Sequence, residues 1–175
     1  MTTQKLNYGM VDDFLPMDEF QSLQSLLIPS ERPEETPVGW TYSPTITSDD
    51  KSKDWKYFYL NHTIYINTQV YSPILYEKMS PILNRLDVKA LMRIKCNLYP
   101  NSEKVHEHEK HFDYDYSHNS AIFSINTCDG YTKLEDGTKI DSVANRMLLF
   151  DGSKPHSSST TTDQPVRVNI NINYF

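Results

Sequence analysis

The sequence has little cysteine, no excess of basic residues and no long hydrophobic run. Its two cysteines, Cys96 and Cys128, are too few for a disulfide framework or a cysteine zinc site. A net charge of −6 argues against a protein that coats nucleic acid, because phosphate binding needs a basic surface. No segment approaches the roughly 18 apolar residues of a membrane span, and the first residues show no signal-peptide pattern. We therefore expect a cytoplasmic protein that acts neither in a membrane nor on nucleic acid.

The length and the aromatic content indicate one folded domain. A chain of 175 residues can bury a sizeable core as a single unit. Hydrophobic residues make up only 38% of the chain, but 12 tyrosines and 7 phenylalanines are present. We expect a core packed with aromatic rings more than with the aliphatic side chains of a helical protein. The composition leaves the oligomeric state open.

Helical periodicity marks parts of the first half of the chain. Phe20, Leu23 and Leu27 recur at helical spacing, which predicts an amphipathic helix over residues 17–27 that opens near Pro16. A second apolar set over residues 74–86 predicts another helix, interrupted at Pro81. Short strands are predicted at residues 38–42 and 56–60, and loops at the prolines of residues 29–37 and the charged run of residues 49–54.

From Val88 onward the hydrophobic period changes to two. In the first of these strands one face is apolar, and the other is polar except for Leu91. The apolar face consists of Val88, Ala90, Met92, Ile94, Cys96 and Leu98. Further strands are predicted at residues 121–127, 131–134, 139–142, 146–150 and 166–174, with Asp-Gly turns between several of them. Two helices followed by many short strands predict a mainly β protein, a sandwich or barrel with helices packed on one sheet.

The last predicted strand has two contrasting faces. Val166, Val168, Ile170 and Ile172 alternate with Arg167, Asn169, Asn171 and Asn173. The polar face could lie in water, as in many half-buried strands, or point into a polar barrel interior. Asparagine is a poor strand former, so these side chains need hydrogen bonds, which a polar interior would supply. This argument favours the interior slightly.

The most informative pattern is a histidine and an aspartate two residues apart. Residues i and i+2 of a strand share a face, so His111 and Asp113 can offer a nitrogen and an oxygen to one metal ion. His156 follows later in the chain and could complete a 2-His-1-carboxylate triad, which leaves open positions on a non-heme Fe(II). Arg167 lies eleven residues beyond that histidine.

His106 and His108 form a competing pair at the same spacing. They could chelate a metal in a cupin-like way, with a nearby glutamate. Residues 103–110 are highly charged, however, and read as a loop with little apolar cover, where ligands are poorly preorganised. The remaining histidines, His62 and His118, lie in polar surroundings and are predicted to be surface residues.

From Cys96 to the end, the sequence resembles a known enzyme family. The similarity rests on Leu98-Tyr99-Pro100, His111-Phe112-Asp113, residues 121–126, the two hairpin segments with Asp-Gly, residues 148–150, His156, and Arg167-Val168-Asn169. In this order they resemble the prolyl-4-hydroxylase-like Fe(II)/2-oxoglutarate-dependent dioxygenases, particularly the short forms of phages and bacteria. The resemblance covers about half of the chain in detail.

The resemblance implies a fold and a set of roles. The fold would be a double-stranded β-helix, or jelly-roll, with residues 1–87 as a helical support region and residues 88–175 as the barrel core of a single domain. His111, Asp113 and His156 would bind Fe(II), leaving sites for 2-oxoglutarate and O₂. Arg167 would pair with the distal carboxylate of 2-oxoglutarate. Tyr99 and Ser124 would place hydroxyl groups near this co-substrate, although Ser124 stands where the family commonly has tyrosine.

The implied reaction is hydroxylation of a C–H bond, with succinate and CO₂ as co-products. A prolyl residue in a peptide or protein is the leading substrate, and a free amino acid or other small molecule stays open. Tyr114-Asp115-Tyr116 could line the substrate entrance or form a surface turn. Two alternatives remain at this point. One is a cupin-like metal protein that uses His106 and His108, and the other is a catalytically inert jelly-roll that serves as a binding module.

Overall fold

The computed structural model of the chain describes residues 8–28, 38–45 and 57–175. Within these residues the elements follow in the order β1 (Tyr8–Val11), α1 (Met17–Leu27), β2 (Thr41–Ser43), β3 (Tyr59–Ile66), β4 (Gln69–Val70), α2 (Pro73–Lys78), α3 (Ser80–Arg85), β5 (Leu91–Pro100), β6 (Asn119–Ser124), β7 (Tyr131–Lys133), β8 (Lys139–Asp141), β9 (Met147–Asp151), β10 (Ser157–Ser158) and β11 (Val166–Tyr174). The loops predicted at residues 29–37 and 49–54 lie outside the described residues.

The described strands form two antiparallel sheets. The larger sheet has the order β1-β9-β6-β11-β5-β3-β2, with β4 paired to β3, and the smaller sheet has the order β10-β7-β8. The chain returns repeatedly between distant strands, as in a jelly-roll. None of the helices in the described parts of the chain has the length and apolar character needed to cross a bilayer.

Strand β11 lies at the centre of the large sheet and separates the core from the barrel interior. It pairs with β5 on one side and with β6 on the other. Val168, Ile170 and Ile172 are fully buried in the main hydrophobic core. On the opposite face, Asn169 and Asn171 line a cavity between the sheets. The expectation of a polar barrel interior is confirmed.

Helix α1 has the bounds that the sequence predicts, and it covers the outer face of the large sheet. Phe20, Leu23 and Leu27 are buried in the same core cluster as the Val/Ile face of β11. The ring of Phe20 meets that of Phe123 in β6 edge to face, with centroids 5.9 Å apart. Such aromatic contacts agree with the expected aromatic-rich packing.

The second predicted helix is divided in two. Helix α2 ends at Lys78, and α3 begins at Ser80 with Pro81 in its first turn. Proline has no N–H to donate to the preceding turn and clashes with it, so it starts a helix more readily than it continues one. Leu75 and Ile82 from the two helices are nevertheless buried in one core.

A β-bulge changes the start of β5. Asn173 pairs with Arg93, but the next residue, Tyr174, pairs with Leu91, so Met92 is an extra residue on β5. Leu91 packs against the core. The prediction that Leu91 lies on the polar face was wrong, because strict alternation does not allow for the bulge.

Several strand boundaries also differ from the prediction. Strand β3 continues to Ile66, six residues beyond its predicted end, and β6 ends at Ser124 instead of residue 127. Strand β4 was not predicted, and neither were β1 and β10. All three are short, and β1 is an edge strand with three exposed residues, so none carries a clear hydrophobic period.

Candidate metal centre

His111, Asp113 and His156 come together at the mouth of the barrel. Their candidate ligand atoms all lie within 4.8 Å of one another, and no other such group occurs among the described residues. Two imidazole nitrogens and one carboxylate oxygen at this spacing can share one face of an octahedral metal ion. The structure thus assembles the three residues that the sequence singles out.

Backbone hydrogen bonds hold the segments that carry these ligands. His111 and His156 form an antiparallel bridge, with N–H to carbonyl distances of 2.9 and 2.8 Å. Two residues further on, the N–H of Asp113 donates to the carbonyl of Gly152 at 3.0 Å. The three side chains are therefore fixed by a short ladder and do not depend on a free loop.

The two imidazole rings are oriented by neighbouring carbonyls. The Nδ1 of His156 lies 3.0 Å from the carbonyl oxygen of Lys154, and that of His111 lies 3.4 Å from the carbonyl oxygen of Glu109. A carbonyl can only accept, so each Nδ1 carries the proton and each Nε2 keeps its lone pair for a metal. Burial, reinforced by the nearby His156, lowers the pKa of His111 to about 4, and burial also lowers the pKa of His156. Both rings are thus neutral near pH 7.

The carboxylate of Asp113 accepts hydrogen bonds at both oxygens. Arg93 donates from Nη2 to Oδ1 at 2.6 Å, and Oδ2 accepts from Asn173 at 2.8 Å, Ser120 at 3.0 Å and Asn171 at 3.2 Å. Burial opposes ionisation, but the charge of Arg93 and these donors hold the pKa of Asp113 well below its usual range. The carboxylate is therefore ionised at any pH at which the protein would work.

His118 contacts Asn173, one of the residues that donate to the Asp113 carboxylate. It is buried, its Nδ1 donates to the carbonyl of Tyr116 at 2.9 Å, and its Nε2 lies 3.2 Å from the side-chain amide of Asn173. The prediction of a surface position for His118 was wrong, because its polar sequence neighbours conceal a long-range contact with β11. His62, the other predicted surface histidine, is partly buried, with Nδ1 2.6 Å from the carbonyl of Gly39.

The metal centre opens into a cavity of about 790 Å³. Its walls include the three metal-binding candidates, the polar face of β5 and two asparagines of β11. The lining residues are Tyr59, Arg93, Lys95, Asn97, Tyr99, Lys110, His111, Phe112, Asp113, Ile122, Thr132, Pro155, His156, Ser157, Ser158, Asn169 and Asn171. A cavity of this size can hold a small dicarboxylate together with part of a second substrate.

Arg167 is a buried cation beside this cavity. It is 1% exposed, and no carboxylate of the described residues forms an ion pair with it. Its Nη1 donates to the carbonyl of Ser159 and its Nη2 to the hydroxyl of Thr132, both at 3.0 Å, while its Nε has no hydrogen-bond partner. A buried charge normally requires a counter-ion. The site therefore fits an anion that arrives from outside, such as a carboxylate of 2-oxoglutarate.

Gly130 makes room for this guanidinium. A Cβ atom at this position would lie 2.6 Å from Cδ of Arg167 and 2.7 Å from the carbonyl oxygen of Thr160. A side chain there would displace either the arginine or the backbone that it contacts. The sequence marks this glycine as part of a turn, but not as a neighbour of the arginine.

The other two predicted co-substrate residues occupy different positions. Tyr99 lines the cavity, and its ring lies 5.4 Å from the guanidinium of Arg167. Ser124 is buried on β6 and pairs with Asn169, but it is not among the cavity-lining residues. Thr132, which is not predicted from the sequence, both lines the cavity and accepts a hydrogen bond from Arg167.

The competing histidines are used for packing. His106 stacks on Tyr57, with ring centroids 3.6 Å apart. His108 is buried, and its Nδ1 lies 3.1 Å from the carbonyl oxygen of Ser158. Glu107 between them binds Lys133 at 2.9 Å and Tyr131 at 3.0 Å. Within the described residues, no third ligand joins this pair to form a metal site.

Known structures share this fold. No protein-family model and no curated protein matches the sequence. An oxidoreductase of the 2OG-Fe(II) oxygenase family from Burkholderia pseudomallei aligns with a TM-score of 0.67 and 11% identity, over 96% of this chain and 84% of that one. A Trichoplax adhaerens prolyl hydroxylase in complex with a peptide fragment of hypoxia inducible factor aligns with a TM-score of 0.63 and 17% identity, over 97% of this chain and 83% of that one. HygX of Streptomyces hygroscopicus, with nickel and 2-oxoglutarate bound, aligns with a TM-score of 0.61 and 8% identity, over 96% of this chain and 82% of HygX.

These similarities place the chain in a structural class. At such low identities they show the fold, which is that of the 2-oxoglutarate–Fe(II) oxygenases. The prediction of a mainly β jelly-roll with supporting helices is confirmed.

Proposed function

We propose that this protein is an Fe(II)- and 2-oxoglutarate-dependent dioxygenase that hydroxylates a C–H bond. The observation that carries the proposal is the pairing of two features at one cavity. One is a preformed His/Asp/His group with two neutral imidazoles and an ionised carboxylate, and the other is Arg167, a buried cation beside the cavity that has no counter-ion among the described residues. A cupin-like metal protein does not need that arginine, and an inert binding module needs neither feature.

His111, Asp113 and His156 would hold the iron. Three protein ligands leave three positions of an octahedron, enough for the two oxygens of 2-oxoglutarate and for O₂. When bound, Fe(II) and 2-oxoglutarate supply the oxidising chemistry that inserts one oxygen atom of O₂ into the substrate and yields succinate and CO₂. Asp113 leaves no vacant position for a halide, which favours hydroxylation over halogenation.

Arg167 would bind the distal carboxylate of 2-oxoglutarate. Thr132 and the carbonyl of Ser159 hold the guanidinium in place, and the ring of Tyr99, which lines the cavity, lies 5.4 Å from it. Ser124 remains a proposed contact from the sequence. Its place on the inward face of β6 supports it, but Thr132 is better placed among the described residues.

A peptide is the substrate class that we propose, with a prolyl residue as the group oxidised. The structurally similar prolyl hydroxylase from Trichoplax is in complex with a peptide fragment. In this chain Phe112 lines the cavity and is 54% exposed, so it offers an apolar ring at the rim. The cytoplasm remains the expected location.

Anaerobic titration with Fe(II) and 2-oxoglutarate tests the proposal. We expect a weak visible charge-transfer band that requires both ligands, and His111→Ala should abolish it. His108→Ala is the matched control, because this buried histidine lies outside the proposed ligand set. A band that survives in His111→Ala but disappears in His108→Ala would show that the metal is bound at the other histidine pair.

The same titration tests the role of Arg167 separately from that of the three candidate metal ligands. Arg167→Met should raise the 2-oxoglutarate concentration needed for the band by at least about tenfold, because a buried charge-assisted contact is worth about 1.5–3 kcal/mol. Arg167→Lys should retain part of the affinity, since it keeps the charge but not the fork. If both variants bind 2-oxoglutarate like the original protein, Arg167 has a structural role only.

A further inference from the structure

The cavity carries more positive charge than the metal centre and the co-substrate require. Three cations line it, Arg93, Lys95 and Lys110, against the single carboxylate of Asp113. Arg93 is already paired with that carboxylate. Bound Fe(II) and 2-oxoglutarate carry equal and opposite charges, so Lys95 and Lys110 stay uncompensated. This is unexpected in a chain of net charge −6.

Lys95 is the cation that lies inside the cavity. It points inward from β5, between Arg93 and Asn97, and its Nζ lies 5.5 Å from the centre of the Tyr59 ring. No carboxylate of the described residues forms an ion pair with it. Lys110 is exposed at the rim, next in sequence to the metal ligand His111.

Asn171, at the wall of the same cavity, has a buried side-chain oxygen without a hydrogen-bond partner among the described residues. Asn171 pairs in register with Lys95 across the sheet and lines the cavity, although it is only 6% exposed. Its Nδ2 donates to Asp113, but its Oδ1 has no partner among the described residues. A buried acceptor left unpaired costs free energy, so it indicates a donor that a ligand brings.

We propose that the substrate carries a carboxylate, which Lys95 binds inside the cavity with help from Lys110, and an N–H group, which donates to Oδ1 of Asn171. This inference rests on the proposed function, since it concerns the group oxidised at that metal centre. A carboxylate beside an N–H is offered by a peptide with an acidic residue next to the oxidised one. It is offered equally by a free amino acid.

Two pairs of ligands, which differ only in a carboxylate against the corresponding amide, test whether the carboxylate contributes to binding. The first pair is an acetylated, amidated proline peptide with Glu or Gln beside the proline, and the second is free proline and prolinamide. Binding is followed by ligand-observed NMR on protein loaded with Zn(II) and 2-oxoglutarate, where no turnover occurs. Succinate release with Fe(II) is measured in parallel.

We expect the carboxylate form of one pair to bind at least about tenfold more tightly, as for a charge-assisted contact in a partly desolvated site. The first pair responds if the carboxylate comes from a peptide side chain, and the second if it comes from a free amino acid. Lys95→Met should remove the preference, Lys95→Arg should retain it, and the exposed Lys110→Met should weaken it. Lys104→Met, which removes an exposed charge outside the cavity, is the control.

Two results would overturn the proposal. One is equal binding of both members of each pair by a protein that shows the Fe(II)–2-oxoglutarate band. The other is a loss of 2-oxoglutarate affinity in Lys95→Met with the substrate preference unchanged, which would assign Lys95 to the co-substrate. Absence of the band in the original protein would instead refute the proposed function itself.

Discussion

His111 and His156 lie directly opposite each other in an antiparallel bridge, and each accepts a backbone hydrogen bond from the other, at 2.8 and 2.9 Å. Their ring centroids are 4.5 Å apart. The separation of the two imidazoles is therefore set by the backbone. A metal ion that binds here meets ligands already in place and does not have to order a loop.

Gly152 should be necessary for this arrangement. An added Cβ would lie 2.7 Å from Cε1 of His118 and closer still to its Nε2. We expect Gly152→Ala to destabilise the protein by about 1–3 kcal/mol, as overpacking does, and to weaken Fe(II) binding by displacing His118. Thermal denaturation and metal titration measure both effects. Gly39→Ala is the control, because its Cβ would have nothing within 4 Å. Equal behaviour of the two variants would contradict the prediction.

Gly130→Ala should impair the other end of the cavity. Its Cβ would collide with Arg167 and the carbonyl of Thr160, both remote from the histidine bridge. We expect the apparent Kd for 2-oxoglutarate to rise severalfold, while the affinity for metal alone stays near that of the original protein. Metal binding lost in parallel with co-substrate binding would show that the two ends are not independent.

The stability of the metal-free protein should decrease in mild acid. The pKa of His111 is about 4 in the fold against 6.5 for the unperturbed group. Between these pH values the unfolded chain binds a proton that the folded protein does not, so the free energy of unfolding falls as the pH falls. For His111 we expect a loss on the order of 3 kcal/mol. The lowered pKa of His156 acts in the same direction.

Denaturant unfolding at intervals across that pH range measures this loss. His111→Asn should reduce the dependence, because one of the two titrating imidazoles is gone and His156 remains. His106→Asn, which removes a histidine outside the metal centre, should leave it unchanged. A pH dependence that is the same in all three proteins would contradict the assignment.

The N-terminal helix should be part of one cooperative unit with the barrel. Leu23 is buried beneath α1 in the main core, so Leu23→Ala should cost about 2–5 kcal/mol. Met17 on the same helix is 54% exposed, and Met17→Ala should be nearly neutral. We expect a single unfolding transition in both variants, monitored by near- and far-UV circular dichroism. Two transitions would show that helix α1 and the β-sheets unfold separately.

The parts of the fold that the sequence predicts well are those with a regular local pattern. Strand β11 has the predicted bounds because nine residues alternate without a break between apolar and polar side chains. Helix α1 is equally well predicted, from one apolar stripe and a proline at its start. The bulge at Met92 is not predictable in this way, because it depends on the register of a partner strand.

The residues of the candidate site differ in the same way in how well the sequence predicts them. The three candidate ligands are predicted from residue type and order, since His-x-Asp, a later histidine and an arginine together indicate a metal site, and the structure brings the three close together. The supporting residues Arg93, Ser120, Asn173 and His118 are not predicted, because each acts through a contact that only the fold creates, over 7 residues for Ser120 and over 20 to 60 for the others. Arg93 had one available clue, its place on the polar face of a strand that also carries Lys95 and Tyr99.

Strand β11 assigns two tasks to alternate residues. Its valines and isoleucines pack in or against the hydrophobic core, while Asn169 and Asn171 line the cavity on the opposite face. A substitution on the cavity face of β11 leaves the hydrophobic face unchanged. The fold can therefore tolerate substitutions that change substrate preference, whereas in a protein whose core residues also line the pocket the same changes would cost stability. On this scaffold new specificities are open to natural drift and to laboratory evolution.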